Sequence, residues 1–149
     1  MSVNIKNYTS TVPASTSMSR IEMYLVNAGA SDISKKYDEN KTCISLTFRM
    51  IVHNIPVFFQ LEAKVQACFK VLYAEVKRPQ PNTKQNILQQ AERTAWKIIS
   101  DWVEIQISMV QLEQADLIQV FLPYVYNPAT EKTFYNQIKD NNFKQLTNG

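Results

Sequence analysis

Glycine is almost missing from this chain: there are two in 149 residues, Gly29 and Gly149. Phosphate-cradling loops, nucleophile elbows and dinucleotide turns need glycine where backbone closes on a ligand, so none of them can be drawn. Histidine occurs once, as His53. That excludes any mechanism needing two imidazoles and, with no cysteine or carboxylate at ligand spacing, argues against a metal site. Two cysteines, Cys43 and Cys68, are too few for a disulfide framework or a cysteine-based zinc site. Each lies in an apolar segment and reads as a small core residue. Long apolar runs are absent, so no membrane span is expected. The polar, Ser- and Thr-rich stretch from Met1 to Ser19 lacks the apolar centre of a secretory leader, and the cytoplasm is the expected compartment.

What the chain does have is a long helix. Leu88, Ala91, Ala95, Ile98, Trp102, Ile105, Met109 and Leu112 recur at alternating steps of three and four, the spacing of a helical seam. Neither Gly nor Pro interrupts the chain between Asn82 and Pro123. Trp96, Ile99, Val103, Ile107 and Val110 form a second arc beside the first. A helix over Thr83–Asp116 would extend for about 50 Å at about 1.5 Å per residue. A compact domain of this length has a radius of gyration near 15 Å, by the usual scaling (about 2.2·N^0.38). Either the helix projects towards a partner or a second copy, or it breaks near Gln111–Gln114 and folds back. Trp102, Ile105, Met109 and Leu112 are the candidate partner-helix residues, and a homo-oligomer is expected.

Around that helix the periodicity predicts an α+β fold, in the order helix, three strands, then three helical segments. Residues 1–16 read as an extended arm and 17–149 as one domain containing a basic, Pro-containing linker at 77–84. Ser17 is the expected cap of a first helix that ends at Gly29. Three strands follow as an antiparallel meander: Ser31–Tyr37, Thr42–Val52 and Val57–Leu61. In the second, Ile44, Leu46, Phe48 and Met50 alternate with Ser45, Thr47 and Arg49, the latter set outward. Helix, three strands and helix in this order is similar to the double-stranded RNA-binding domain, in topology alone.

Charge is distributed unevenly. Residues 1–100 hold 13 Lys/Arg against 7 Asp/Glu, and residues 101–149 hold 3 against 6. The basic candidates fall in two groups: Lys35, Lys36, Lys41 and Arg49 on the sheet and its turns, and Lys77, Arg78, Lys84 and Arg93 around the linker. With Tyr37 and Phe58 nearby, cations for phosphate and rings for bases suit single-stranded nucleic acid. The carboxylate pairs Asp101/Glu104 and Glu113/Asp116 sit one helical turn apart. Lys97, four residues before Asp101, makes a solvated ion-pair face the simpler reading. No nucleophile–base pair, metal cluster or cofactor motif can be assembled, so an enzyme is not expected, nor a cofactor.

The segments Gln90-Ala91-Glu92-Arg93-Thr94-Ala95-Trp96-Lys97-Ile98-Ile99-Ser100-Asp101-Trp102-Val103-Glu104 and Val120-Phe121-Leu122-Pro123-Tyr124 resemble a group of small uncharacterised proteins of bacteriophages and prophages. The likeness extends to Tyr8-Thr9-Ser10-Thr11-Val12-Pro13, to Gly29-Ala30 and to the turn before Phe48. Lys97 stands where that group suggests arginine and Gln119 where it suggests an acid, so no charge-specific role carries over at either position. The resemblance implies a phage context, hence a bacterial host cytoplasm, and transfers no catalytic residue. The resulting expectation is a non-enzymatic phage accessory protein that binds nucleic acid in replication or recombination. The alternative is a module that binds a host or phage protein and inhibits or redirects a host defence or replication complex.

Overall fold

The computed structural model describes residues 6–147. Five helices and a five-stranded antiparallel sheet follow one another as α1 (Ala14–Asn27), β1 (Asp32–Tyr37), β2 (Cys43–Val52), β3 (Ile55–Glu62), α2 (Val65–Tyr73), α3 (Thr83–Gln111), α4 (Leu117–Phe121), β4 (Val125–Asn127), β5 (Lys132–Thr133) and α5 (Phe134–Asp140). The strands lie in sequence order across the sheet. The expected three-strand meander is therefore its larger part. β4 adds to the free edge of β3 through Phe58–Tyr126 and Phe59–Val125, and β5 pairs with β4. Strands of three and two residues, on either side of Pro128, are too short to show alternation.

Connections explain the meander. Asp38 accepts from the backbone amides of Asn40 and Thr42 and so fixes the β1–β2 turn. Between β2 and β3 the turn is only His53-Asn54, both at positive φ, flanked by the pair Val52–Ile55. Two consecutive left-handed residues give the turn whose twist matches a hairpin. Pro56, expected within the turn, instead pairs with Ile51 inside β3. It sits past the end of β4, so its missing N–H costs no ladder bond.

One face of the sheet is dry. Leu46, Phe48 and Met50 of β2 and Phe59 and Leu61 of β3 are buried with Ile21 and Leu25 of α1, Trp96 and Val103 of α3 and Phe121 of α4. Phe48 stacks on Phe59 with ring centres 5.0 Å apart, and the edge of Phe121 closes on both. Each such ring contributes roughly 1.5–3 kcal/mol by leaving water. Register slips at Ile44: Lys36 faces Ser45, whereas Tyr37 faces Cys43. That bulge turns Cys43, rather than the expected Ile44, into the core. Burial pushes both the Cys43 and Cys68 thiols up, which leaves them poorly nucleophilic at neutral pH.

α3 buries the second arc together with the first part of the a/d stripe, Leu88, Ala91, Ala95 and Trp102, and leaves the end of that stripe open. Ala91, Thr94, Trp96, Ser100, Val103 and Ile107 face the core, whereas Ile105, Met109 and Leu112 of the a/d stripe are exposed. The helix is continuous to Gln111 and then reverses. Glu113 adopts φ +57°, its N–H donates to Val110 and that of Gln114 to Met109, the two bonds of a Schellman stop. Gly29 stops α1 in the same way, as expected, through Gly29 to Val26 and Ala30 to Leu25. α1, however, starts at Ala14, and Ser17 lies buried inside it instead of capping it.

Residues 1–5 of the expected arm lie outside the described residues. The rest docks onto α3. The Ser10 carbonyl accepts from Gln90 Nε2 and Arg93 Nε, Asn7 O accepts from Thr94, and Asn7 Nδ2 donates to Asp101. Farther along, Tyr24 donates to Glu104, so α1 runs parallel to α3.

Candidate nucleic-acid interface

Because β-strand side chains alternate, the register that buries Phe48 also defines the opposite face of the sheet. Three rows cross it. The first runs Asp32, Arg49, Phe58, Tyr126 and Thr133 over all five strands; the second is Ser34, Thr47 and Gln60; the third is Lys36, Ser45 and Glu62. Asp32, Ser34, Lys36 and Glu62 are exposed, and Thr47, Arg49, Phe58, Gln60 and Tyr126 are partly exposed. Among the described residues, helices α1 to α4 join the core on the other side. The first row thus places a guanidinium and two aromatic rings on adjacent strands, each step about 4.8 Å.

Arg49 is held over this face, not consumed by it. Its Nη1 donates to Ser31 Oγ at 3.0 Å and lies 3.5 Å from Asp32, an exposed carboxylate. An ion pair in such exposure is weak, so an incoming phosphate can compete for the guanidinium. Phe58 and Tyr126 directly oppose each other across β3 and β4. Rings in that relation offer π-faces on which bases stack irrespective of sequence.

The eight basic candidates do not form one surface. Arg49 and Lys36 share the open face, and Lys41 is exposed in the adjoining β1–β2 turn at φ +62°. Lys35 points to the other face, where its ammonium meets Glu22 of α1 at 2.7 Å. That hydrogen bond holds Lys35 above its ordinary range and withdraws it from phosphate binding. Lys35 and Lys36 are consecutive in β1, and alternation sends them to opposite sides. Arg93 is also engaged internally, by Ser10 and by Gln90 Oε1. Lys77 and Arg78 of the α2–α3 connection and Lys84 in the first turn of α3 are exposed but belong to the helical layer.

Tyr37, the other expected aromatic neighbour, pairs with Cys43 and faces away from Phe58. Tyr126 takes the place it was expected to fill. Nothing in a three-residue strand announces that residue.

The partner-helix candidates divide as well. Trp102 is covered, with Phe121 edge-on at 5.5 Å and Tyr124 at 5.2 Å. Beyond α4 the stripe opens: Ile105 is 56% exposed and Leu112 70%, with Met109 between them.

On the open face, a cavity of about 400 Å³ lies where the third row meets the start of α2. Lys36, Ser45, Gln60, Glu62, Lys64 and Tyr126 are among its walls. Among the described residues no group of three or more His, Cys, Asp or Glu side chains could hold a metal ion. No helix there is long and apolar enough to cross a membrane. Comparison with protein-family models, with curated proteins and with solved structures gives no match.

Proposed function

We propose that this protein is a non-enzymatic binding module that receives single-stranded nucleic acid on the open face of its sheet. The phage context implied by the Trp-Lys-Ile-Ile helix would place that role in phage replication or recombination. The observation that carries the reading is the row Arg49–Phe58–Tyr126 on three adjacent strands. Arg49 neutralises phosphate while the two rings stack bases, and Thr47 and Gln60 beside them offer hydrogen bonds to base edges or sugar. With Asp32 and Glu62 on the same face, the electrostatic share of affinity is small and stacking supplies most of it. Titration of oligothymidylate, oligouridylate and duplex DNA at several salt concentrations tests this. Single strands should bind with a shallow salt slope and duplex should not. No single-strand binding tighter than about 100 μM at low salt would overturn it.

A second reading, a module that binds a host or phage protein or a second copy of itself, is favoured by the opening of the α3 stripe at Ile105, Met109 and Leu112. Three apolar side chains on successive turns, left open beyond α4, match the anchors of a helix-mediated contact.

A further inference from the structure

The cavity beside Tyr126 has features that base stacking does not use. Ser45 is only 4% exposed, and its hydroxyl oxygen meets no hydrogen-bonding partner among the described residues. Buried hydroxyls are normally satisfied, and an orphan costs stability. Register turns Ser45 to the same side as Lys36 and Glu62, and all three line the cavity. The opposite wall is the first turn of α2: Val65, Gln66 and Ala67. Val65 N–H donates to Ala63 and Cys68 N–H to Lys64. The amides of Gln66 and Ala67 meet no acceptor among the described residues, and no side chain caps this helix. Two free amides at a helix start, the orphan hydroxyl and the ammonium groups of Lys36 and Lys64 are donors without an acceptor, the complement of an anion.

We propose that this cavity is an anion subsite for the terminal phosphate of a bound strand, with Ser45 Oγ and the Gln66 and Ala67 amides as its donors. The assignment rests on the reading of the open face as a nucleic-acid platform, because Tyr126 belongs to both the aromatic row and the cavity wall. Asp38, Glu62 and Glu131 also line the cavity. Their charge repels a free polyphosphate, while their oxygens can accept from sugar hydroxyls. A phosphate monoester carried on a sugar fits both conditions. The wall formed by α2 suits a strand end better than a phosphodiester in mid-strand.

The test compares oligouridylates of about ten nucleotides, whose terminal ribose keeps a free 2′-hydroxyl, bearing a 5′-phosphate, a 3′-phosphate or neither. One phosphorylated end should bind about tenfold tighter than the unmodified strand, the scale of a charge-assisted hydrogen bond. Ser45→Ala should erase that difference while leaving the unmodified strand's affinity unchanged. Because the substitution removes a partnerless hydroxyl, it should also raise Tm, which separates lost binding from lost folding. Equal affinity for all three strands would overturn the assignment. Inorganic phosphate, titrated while amide resonances are followed, tests the subsite by itself. Shifts at Gln66 and Ala67 that Ser45→Ala abolishes support an anion subsite even where no oligonucleotide binds and the platform reading has failed. A phosphate response without end preference assigns the cavity to free phosphate and overturns the strand-end assignment. Silence at both amides overturns the subsite itself.

Discussion

The indole Nε1 of Trp96 donates to the backbone carbonyl of Cys43 at 3.2 Å, joining the middle of α3 to the bulged start of β2. The bond fixes the long helix against the sheet at the point where the register slips. Replacing Trp96 by Phe removes that hydrogen bond and leaves a void where the larger ring stood. The expected cost is about 2–4 kcal/mol, measured by urea unfolding.

The docked arm makes a second expectation, in pH. Burial pushes the Asp101 carboxyl up, but hydrogen bonds from Lys97 and Asn7 and the charges of Lys97 and Lys6 outweigh it and hold the group below the ordinary carboxylate range. Its contribution is therefore complete above the unfolded-chain pKa. As pH falls through that value the unfolded chain takes up the proton first, and stability is lost until the folded carboxyl is protonated too. Asp101→Ala should cost about 1 kcal/mol near neutrality and flatten the acid limb of the stability profile. Proteolysis ahead of Pro13 should quicken in the same variant.

Glu113 sits at φ +57° as the residue that ends α3, a conformation in which a Cβ is unfavourable. Glu113→Gly should raise stability by roughly 0.5–1 kcal/mol, read as a higher denaturant midpoint at unchanged slope.

The open end of the α3 stripe bears on self-association. If a second copy covers it, light scattering gives a dimer for the natural chain and a monomer for Leu112→Glu and Ile105→Glu. Both residues are exposed, so neither substitution should lower Tm by more than a degree or two at concentrations where the chain is monomeric.

How far the sequence carried depended on the length of each element. β2 has ten residues, and its alternation located Ser45, Thr47 and Arg49 on the outer face directly. Gly29 announced the end of α1 because a left-handed stop favours glycine, whereas the same stop at Glu113 carried no such mark. The a/d stripe of α3 was plain, but only its first part, Leu88, Ala91, Ala95 and Trp102, meets the core. Trp96, Val103 and Ile107 fill the space over the sheet, and seam spacing records only that a helix has apolar faces, not which one meets the core. Lys35 and Lys36 adjoin in the chain and part company in the sheet. Tyr126 and the cavity were hidden altogether, since both arise from a three-residue strand joining the edge of β3. Register across a sheet is a tertiary property that no single segment states.

If Phe58 and Tyr126 form a stacking platform, single-strand binding depends on both rings. Fluorescence anisotropy of a labelled oligothymidylate, at low salt, compares the natural chain with Phe58→Ala and Tyr126→Ala, with Leu112→Glu as the control outside the platform. The expected result is single-strand binding that each platform substitution weakens by about tenfold and that the control leaves unchanged. Binding that is indifferent to both platform substitutions, or no binding tighter than about 100 μM, would rule the platform out.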